Sequence, residues 1–287
     1  MLSVWRKTVL LARMVKIEHS IFALPFAYLG MVWAAGGWPG WKTFLALTVA
    51  MVAVRSFAMA VNRLVDLPID SQNPRTISRP LVTGEIGVFE TRIFIAVSAV
   101  VFVSACALLN PLCLILSPLA LVWSGLYSFT KRFTRLCHFF LGSVLGLAPL
   151  AGWLAVSPAV ELAPVLLGLG VTFWVAGFDI LYACQDVDFD RAEKLHSLPA
   201  ASGVPTALAL STFSHAVTAV FFLLAGWAAG AGLIYAGFCL AVAAILQFEH
   251  RLISADDMSR VNLAFFTMNG FVAVFLFAGA VLDTALR

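Results

Sequence analysis

The stretch Asn62-Arg63-Leu64-Val65-Asp66-Leu67-Pro68-Ile69-Asp70 closes a long apolar run, and polar residues this dense at such a place need a reason. A second stretch, Tyr182-Ala183-Cys184-Gln185-Asp186-Val187-Asp188-Phe189-Asp190, repeats its spacing: a polar residue, Asp four positions on, and Asp four positions on again. Residues four apart share a helix face. Each stretch therefore reads as an oxygen-rich stripe descending from a helix end into a loop.

The surroundings of both stretches are membrane-like. Hydrophobic residues make up 62% of the 287 and charged residues only 11%, with a mean hydropathy of +0.97. An ordinary soluble domain is about 45–50% apolar, so that class is excluded and no nucleic-acid partner is expected. A spanning helix needs roughly 20 mainly apolar residues. Apolar runs and their polar breaks predict about nine spans, near 18–36, 42–66, 88–109, 112–129, 136–156, 161–185, 204–227, 230–248 and 261–283. The expected fold class is thus an all-α integral membrane protein, a single multi-pass domain over residues 1–287. Residues 1–16 alternate Leu2, Trp5, Val9 and Leu10 with Arg6, Lys7, Arg13 and Lys16, the pattern of an amphipathic helix lying at the interface rather than a cleaved signal.

With nine spans, the N-terminus and the loops after spans two, four, six and eight share one face. That face collects Arg6, Lys7, Arg13, Lys16, Arg63, Arg75, Arg79, Arg92, Lys131, Arg132, Arg135, Arg191, Lys194, Arg251 and Arg260, leaving only Lys42, Arg55 and Arg287 of the 18 basic residues elsewhere. The positive-inside rule makes it cytoplasmic, which in a bacterial cell means the inner membrane. The same loops hold most of the acids: Asp66, Asp70, Glu85, Glu90, Asp186, Asp188, Asp190, Glu193, Glu249, Asp256 and Asp257. Membrane insertion does not call for those, so this face is the one expected to carry chemistry.

Paired carboxylates at this spacing repel one another, and a divalent cation relieves that. Asn62, Asp66, Asp70, Asp186 and Asp190 are hard oxygen donors with no Cys or His cluster beside them, which points to Mg²⁺, an ion that keeps waters and shares its shell with phosphates. Basic residues surround these acids in sequence: Arg75 and Arg79, then Lys131 and Arg132 after span four, then Arg191 and Lys194 after span six. A guanidinium fork matches phosphate oxygens, so a polyphosphate is the expected partner of the acid and base together. Arg55 lies two turns before Asn62, and Asp179 stands in the same relation to Asp186. Ionisable residues inside spans are costly and default to function. Either these two pair with each other, or Arg55 receives an anionic group of a second substrate while Asp179 orients that substrate or accepts its proton. His19 and His196 are candidates to face the site, whereas His138, His215 and His250 read as packing or interface residues. Cys106, Cys113, Cys137, Cys184 and Cys239 read as small packing residues.

Taken together, Asn62-x3-Asp66-x3-Asp70, Arg75-Thr76-x2-Arg79-Pro80-Leu81-x2-Gly84, Tyr127 with Lys131-Arg132, and Asp179-x2-Tyr182-x3-Asp186-x3-Asp190 resemble the UbiA superfamily of membrane-embedded aromatic prenyltransferases. The resemblance implies nine helices around a central cavity, with a polyprenyl diphosphate held through Mg²⁺ by the two Asp-rich motifs. It assigns Tyr127, Lys131, Arg132, Lys194 and His196 to the diphosphate, and Arg55, Asp179 and Tyr182 to the acceptor. Lys16-Ile17-Glu18-His19-Ser20 and Tyr182-Ala183-Cys184-Gln185-Asp186 look most like the 4-hydroxybenzoate polyprenyltransferases of the family, especially the branch serving menaquinone made through futalosine, whose acceptor is a dihydroxynaphthoate. The sequence departs from the family at Arg63, where many members carry Asp, and at His196, where many carry Lys. The implied reaction joins a polyprenyl group to a ring carbon of an aromatic acid, with membrane lipid around the tail. Rival readings are family members acting on haem, chlorophyllide or lipid acceptors, and, from another class, a secondary transporter, whose site would sit at the bilayer midplane rather than at helix ends.

Overall fold

In the computed structural model the described residues are 4–253, 258, 261 and 267–287. Among them, nine helical stretches are long and apolar enough to cross a bilayer: Ile17–Ala35, Trp41–Val65, Val88–Leu109, Pro111–Thr130, Cys137–Leu154, Leu162–Ala192, Val204–Ala228, Leu233–Arg251 and Asn269–Leu286. The expected spans are met within a few residues, except that the sixth runs on to Ala192. Asp256, Asp257 and Arg260, expected on the cytoplasmic face, lie outside the described residues, as do residues 262–266 of the ninth expected span and Leu2 of the N-terminal segment. The helices are α1 (Val4–Met14), α2 (Leu24–Ala35), α3 (Trp41–Val65), α4 (Leu67–Asp70), α5 (Val88–Leu109), α6 (Pro111–Thr130), α7 (Cys137–Leu154), α8 (Leu162–Ala183), α9 (Val187–Ala192), α10 (Leu198–Ser202), α11 (Val204–Ala228), α12 (Leu233–Arg251) and α13 (Asn269–Leu286), with 3₁₀ turns at Ile17–Phe22 and Cys184–Asp186. The first span is thus not one regular helix: Pro25, in the first turn of α2, lacks the N–H needed to continue a helix from the 3₁₀ turn before it.

The chain divides into two compact units, Met1–Ser20 with Leu45–Phe129, and Ile21–Phe44 with Thr130–Arg287. In the first, small residues let helices approach: Ala50 and Ala53 of α3 pack with Phe102, Ala105 and Cys106 of α5, flanked by Cys113, Ala120 and Leu121 of α6. Helix α1 is amphipathic as expected. Its Leu10 and Met14, with Val15, bury against Ala60, Leu81 and Ile86, while Trp5 stands exposed. Lys7 pairs with Glu90 in the first turn of α5, whose carboxylate also takes the Gly87 N–H at 3.0 Å.

In the second unit, α8 packs on α7 and α11, α7 also on α2, and α12 on α11 and α13. The α2–α7–α8 layers rest on glycine. A Cβ at Gly152 would collide with the Ala27 carbonyl, one at Gly30 with the Pro149 carbonyl, and one at Gly142 with the Thr172 carbonyl. Backbones this close leave no room for a side chain. At one end, Asp283 of α13 takes the Gly232 N–H at 2.9 Å and the Tyr235 N–H at 3.4 Å, so a buried carboxylate caps the positive end of α12. The five cysteines are free thiols, three of them buried, in keeping with a packing role.

Candidate functional site

Both acidic stretches have the same local build. Helix α3 ends at Val65; Asp66 then adopts φ −87°, ψ 0° before the short α4. Helix α8 passes through the 3₁₀ turn Cys184–Asp186, and Asp186 adopts φ −107°, ψ 10° before the short α9. These values belong to the sparsely populated bridge region, where many active-site residues sit. Each middle aspartate therefore marks an elbow, the break between a long helix and a short one. The four-residue ladder survives the first bend: the Asp66 N–H reaches the Asn62 carbonyl at 2.9 Å and the Asp70 N–H reaches the Asp66 carbonyl at 2.7 Å.

Within the first unit, Asp66 and Asp70 are buried, at 2% and 5% exposure, so each needs a compensating partner. Asn62 donates Nδ2 to Asp66 Oδ2 at 2.9 Å. Arg63, itself buried, donates Nη1 to Asn62 Oδ1 at 3.2 Å and Nε to the Met14 carbonyl at 3.3 Å. The oxygen of Asn62, expected as a metal ligand, is thus engaged by Arg63 in this structure, and the amide nitrogen faces Asp66. Asp70 forms an ion pair with Arg79. The connecting loop is folded on itself: Thr76 Oγ1 donates to the Asp70 carbonyl at 2.9 Å, and the Arg75 N–H to Asn73 Oδ1 at 2.9 Å. The side chain of Arg75 is exposed.

Deeper on α3, Arg55 donates Nη2 to the Lys16 carbonyl at 3.3 Å, while its buried Nε has no partner. Tyr127 of α6 lies within electrostatic reach of Arg63, Asp66 and Arg55, and His19 within reach of Lys16, Arg55 and Arg63. Lys16, expected among the interfacial charges and in the Lys16–Ser20 stretch, has a further part. It adopts a left-handed φ of 48°, which turns the chain from α1 into the first span and offers its carbonyl to Arg55. Burial, then Arg63 and Arg79, pull its ammonium below the usual lysine range, against Glu18, with Arg75 adding to the fall.

Within the second unit, Asp190 is hydrogen-bonded by the Ser197 hydroxyl and lies close to Asp186, Lys131 and His138. The segment that follows, Lys194–Pro199, ties these parts together. Lys194 turns the chain at φ 55°, the His196 N–H donates to the Lys131 carbonyl at 2.7 Å, and Cys137 Sγ donates to the His196 carbonyl at 3.6 Å. The His196 ring is exposed, as is Lys194. Arg132 is half-buried in the turn after α6. Arg191 is spent on the Ala200 carbonyl, with Nε at 3.1 Å. Tyr182 packs beside Leu181, Ile253 and Val261.

The structure corrects the expectations for the three histidines and for Glu249. His138 is not a packing residue: its Nδ1 lies 2.7 Å from Asp179 Oδ2, and its Nε2 accepts the Leu198 N–H at 3.2 Å. Glu249, expected in a cytoplasmic loop, is fully buried at the end of α12. It belongs to a polar network in which Trp174 Nε1 donates to Asn269 Oδ1 at 2.7 Å, Asn269 Nδ2 to Glu249 Oε1 at 3.1 Å, and His250 Nε2 approaches His215 Nδ1 at 2.9 Å. His215 lies 3.8 Å from the second Glu249 oxygen, so His215 and His250 are also more than packing. Hydropathy along the chain carries no sign of either arrangement, because the partners come from different helices.

The donor set suits a hard cation. Each elbow supplies two carboxylates, and among the described residues no group of three or more His, Cys, Asp and Glu is arranged as a closed metal cage. An ion that keeps waters and shares phosphate oxygens fits such partial sets.

A helical, multi-pass membrane protein with an aspartate-marked elbow at the ends of two long helices is what the fold and these residues define. The chain belongs to the UbiA prenyltransferase family, whose pattern matches residues 23–274. A 4-hydroxybenzoate octaprenyltransferase of Shewanella woodyi is 28% identical over 259 residues, covering 90% of both chains, and one of Shewanella piezotolerans is 29% identical over 255 residues, covering 89% of this chain and 88% of that one. The apo structure of a UbiA homolog from Aeropyrum pernix K1 matches with a TM-score of 0.84 at 35% identity, over 93% of this chain and 98% of that one. A UbiA homolog from Archaeoglobus fulgidus, solved with GPP and Mg²⁺, shares the fold with a TM-score of 0.74 at 20% identity, over 96% and 99%.

Proposed function

We propose that this membrane prenyltransferase moves a polyprenyl group from a polyprenyl diphosphate to a ring carbon of a hydroxy-aromatic acid, 4-hydroxybenzoate or 1,4-dihydroxy-6-naphthoate, and releases diphosphate. The reaction would serve quinone synthesis, with the elbows on the cytoplasmic side of the inner membrane. The observation that carries this reading is the repeated aspartate-marked elbow. Relatives named for the 4-hydroxybenzoate reaction, and a fold relative solved with GPP and Mg²⁺, support it.

Asp66, Asp70, Asp186 and Asp190 would hold Mg²⁺ together with the diphosphate, the ion supplying charge neutralisation of the leaving group. The chain's own residues do the rest. Arg75, Arg79, Lys131, Arg132 and Lys194, with Tyr127, surround the departing diphosphate with donors, so the allylic C–O bond breaks with its electron pair on oxygen. Arg79, paired with Asp70 in the structure, would donate to phosphate oxygens where Asp70 serves as a cation ligand. The new C–C bond forms at a carbon ortho to the phenolic hydroxyl, and the ring then loses its proton. Arg55, with Nε unpartnered, binds the acceptor's carboxylate; Asp179 orients its hydroxyl or receives a proton, with Tyr182 beside it. Apolar helices exclude water, which would otherwise consume the prenyl cation.

The test is release of diphosphate with and without acceptor by purified protein. Asp66→Ala and Asp186→Ala should each abolish Mg²⁺-dependent transfer while the protein still inserts and folds. Full turnover in either variant would remove the reading.

A further inference from the structure

We infer that His138 is a positioning residue for the acceptor side of the site: a neutral imidazole, fixed in one tautomer, that aims the Asp179 carboxylate. The inference rests on the role proposed above for Asp179 and extends it to a residue with no place in the sequence motifs.

The tautomer follows from donors and acceptors alone. A backbone N–H can only donate, and the Leu198 N–H points at His138 Nε2 from 3.2 Å, so Nε2 must offer its lone pair. A neutral ring with a bare Nε2 carries its proton on Nδ1, and Nδ1 sits 2.7 Å from Asp179 Oδ2. Protonating Nε2 would set two N–H groups face to face. His138 therefore donates to Asp179 without taking its negative charge. The ring is 3% exposed and the Asp179 side chain 27%. One carboxylate oxygen is thus bound to a buried, immobile donor, and the other is left for a substrate hydroxyl.

The same ring links Asp179 to the second elbow. Leu198, whose N–H fixes Nε2, follows Ser197, whose hydroxyl bonds Asp190. The Lys194–Pro199 segment that carries both also meets Lys131 through the His196 N–H. Asp179 is thereby registered to the strap that serves Asp190 and Lys131, through one imidazole with both nitrogens committed. This is the arrangement by which an orienting group acts through another residue.

Two substitutions separate the two bonds. His138→Asn places an amide N–H where Nδ1–H was and loses the Nε2 acceptor. His138→Gln places a carbonyl where Nε2 was and loses the donor toward Asp179. Each is assayed in proteoliposomes with geranyl diphosphate, Mg²⁺ and whichever acid acceptor the wild type turns over. His138→Gln is expected to lower kcat/KM for the acceptor by roughly 10- to 100-fold, as loss of an orienting partner does, with the KM for geranyl diphosphate held within about twofold. His138→Asn is expected to stay within about threefold of wild type on both. Equal losses in the two variants, no loss in either, a larger loss in His138→Asn, or a parallel rise in the geranyl diphosphate KM overturns the inference. A wild-type protein that prenylates no aromatic acid instead defeats the proposed function itself.

Discussion

The side-chain amide of Asn62 presents its nitrogen, not its oxygen, to Asp66, 2.9 Å away. The orientation is set from behind, because Arg63 lies 3.2 Å from Asn62 Oδ1 and a guanidinium only donates. Arg63 thus holds Asn62, and Asn62 holds Asp66. Arg63→Met should leave insertion intact and raise the Mg²⁺ concentration for half-maximal turnover by roughly tenfold or more, the scale seen when support behind a ligand is removed. A Mg²⁺ titration of the two proteins reads this directly, and identical curves would show that the relay has no bearing on the cation.

Arg55 tests acceptor charge. A hydrogen bond to a charged group contributes roughly 1.5–3 kcal/mol. Arg55→Ala should therefore reduce kcat/KM for a carboxylated acceptor by roughly 10- to 100-fold, and that for an uncharged phenol of the same ring by much less. Equal losses with both substrates would remove the carboxylate from the role of Arg55.

Lys16 gives a pH signature. Its unfolded value is 10.5 and its folded value lies lower, chiefly through burial and then Arg63 and Arg79. Folding thus sheds protons between the two values, and stability rises with pH across that window. Binding an anion beside these cations has the opposite sign: it raises the Lys16 value and takes up a proton. The KM for prenyl diphosphate should therefore climb as pH rises through the lowered Lys16 value, and Lys16→Met should flatten the profile. Parallel profiles for the two proteins would contradict this.

The Trp174–Asn269–Glu249 chain predicts a stability effect away from the chemistry. Asn269→Leu strands the buried Trp174 N–H and a Glu249 oxygen, and an unsatisfied buried group costs roughly 1–3 kcal/mol. Thermal unfolding in detergent should shift down accordingly, with the KM for prenyl diphosphate unchanged. An unshifted midpoint would mean that the network adds nothing to helix packing.

The nine spans were legible because hydropathy and length are local quantities, and the aspartate pairs because their spacing matches the helix period. The elbows were half legible: Pro68 marks the first break, but nothing in Cys184-Gln185-Asp186 announces the second. His138 was misjudged because its partners Asp179 and Leu198 are 41 and 60 positions away, and an isolated histidine at a span end has no local pattern to betray them. Glu249 reads as a loop charge because the apolar run of the eighth span ends at residue 248. Only the packing of α12 shows that it is fully buried. Asn62 was read as an oxygen donor from its residue type; its orientation depends on Arg63, the next residue but on a different face.

The most direct measurement uses the purified protein in proteoliposomes with one polyprenyl diphosphate and Mg²⁺, offered 4-hydroxybenzoate and 1,4-dihydroxy-6-naphthoate in separate reactions. Mass spectrometry reads the product and a coupled assay reads diphosphate. The expected result is a prenylated acid from at least one acceptor, matched one for one by diphosphate and lost in both Asp66→Ala and Asp186→Ala. Absence of any prenylated acid, or full turnover that survives in either variant, would contradict it.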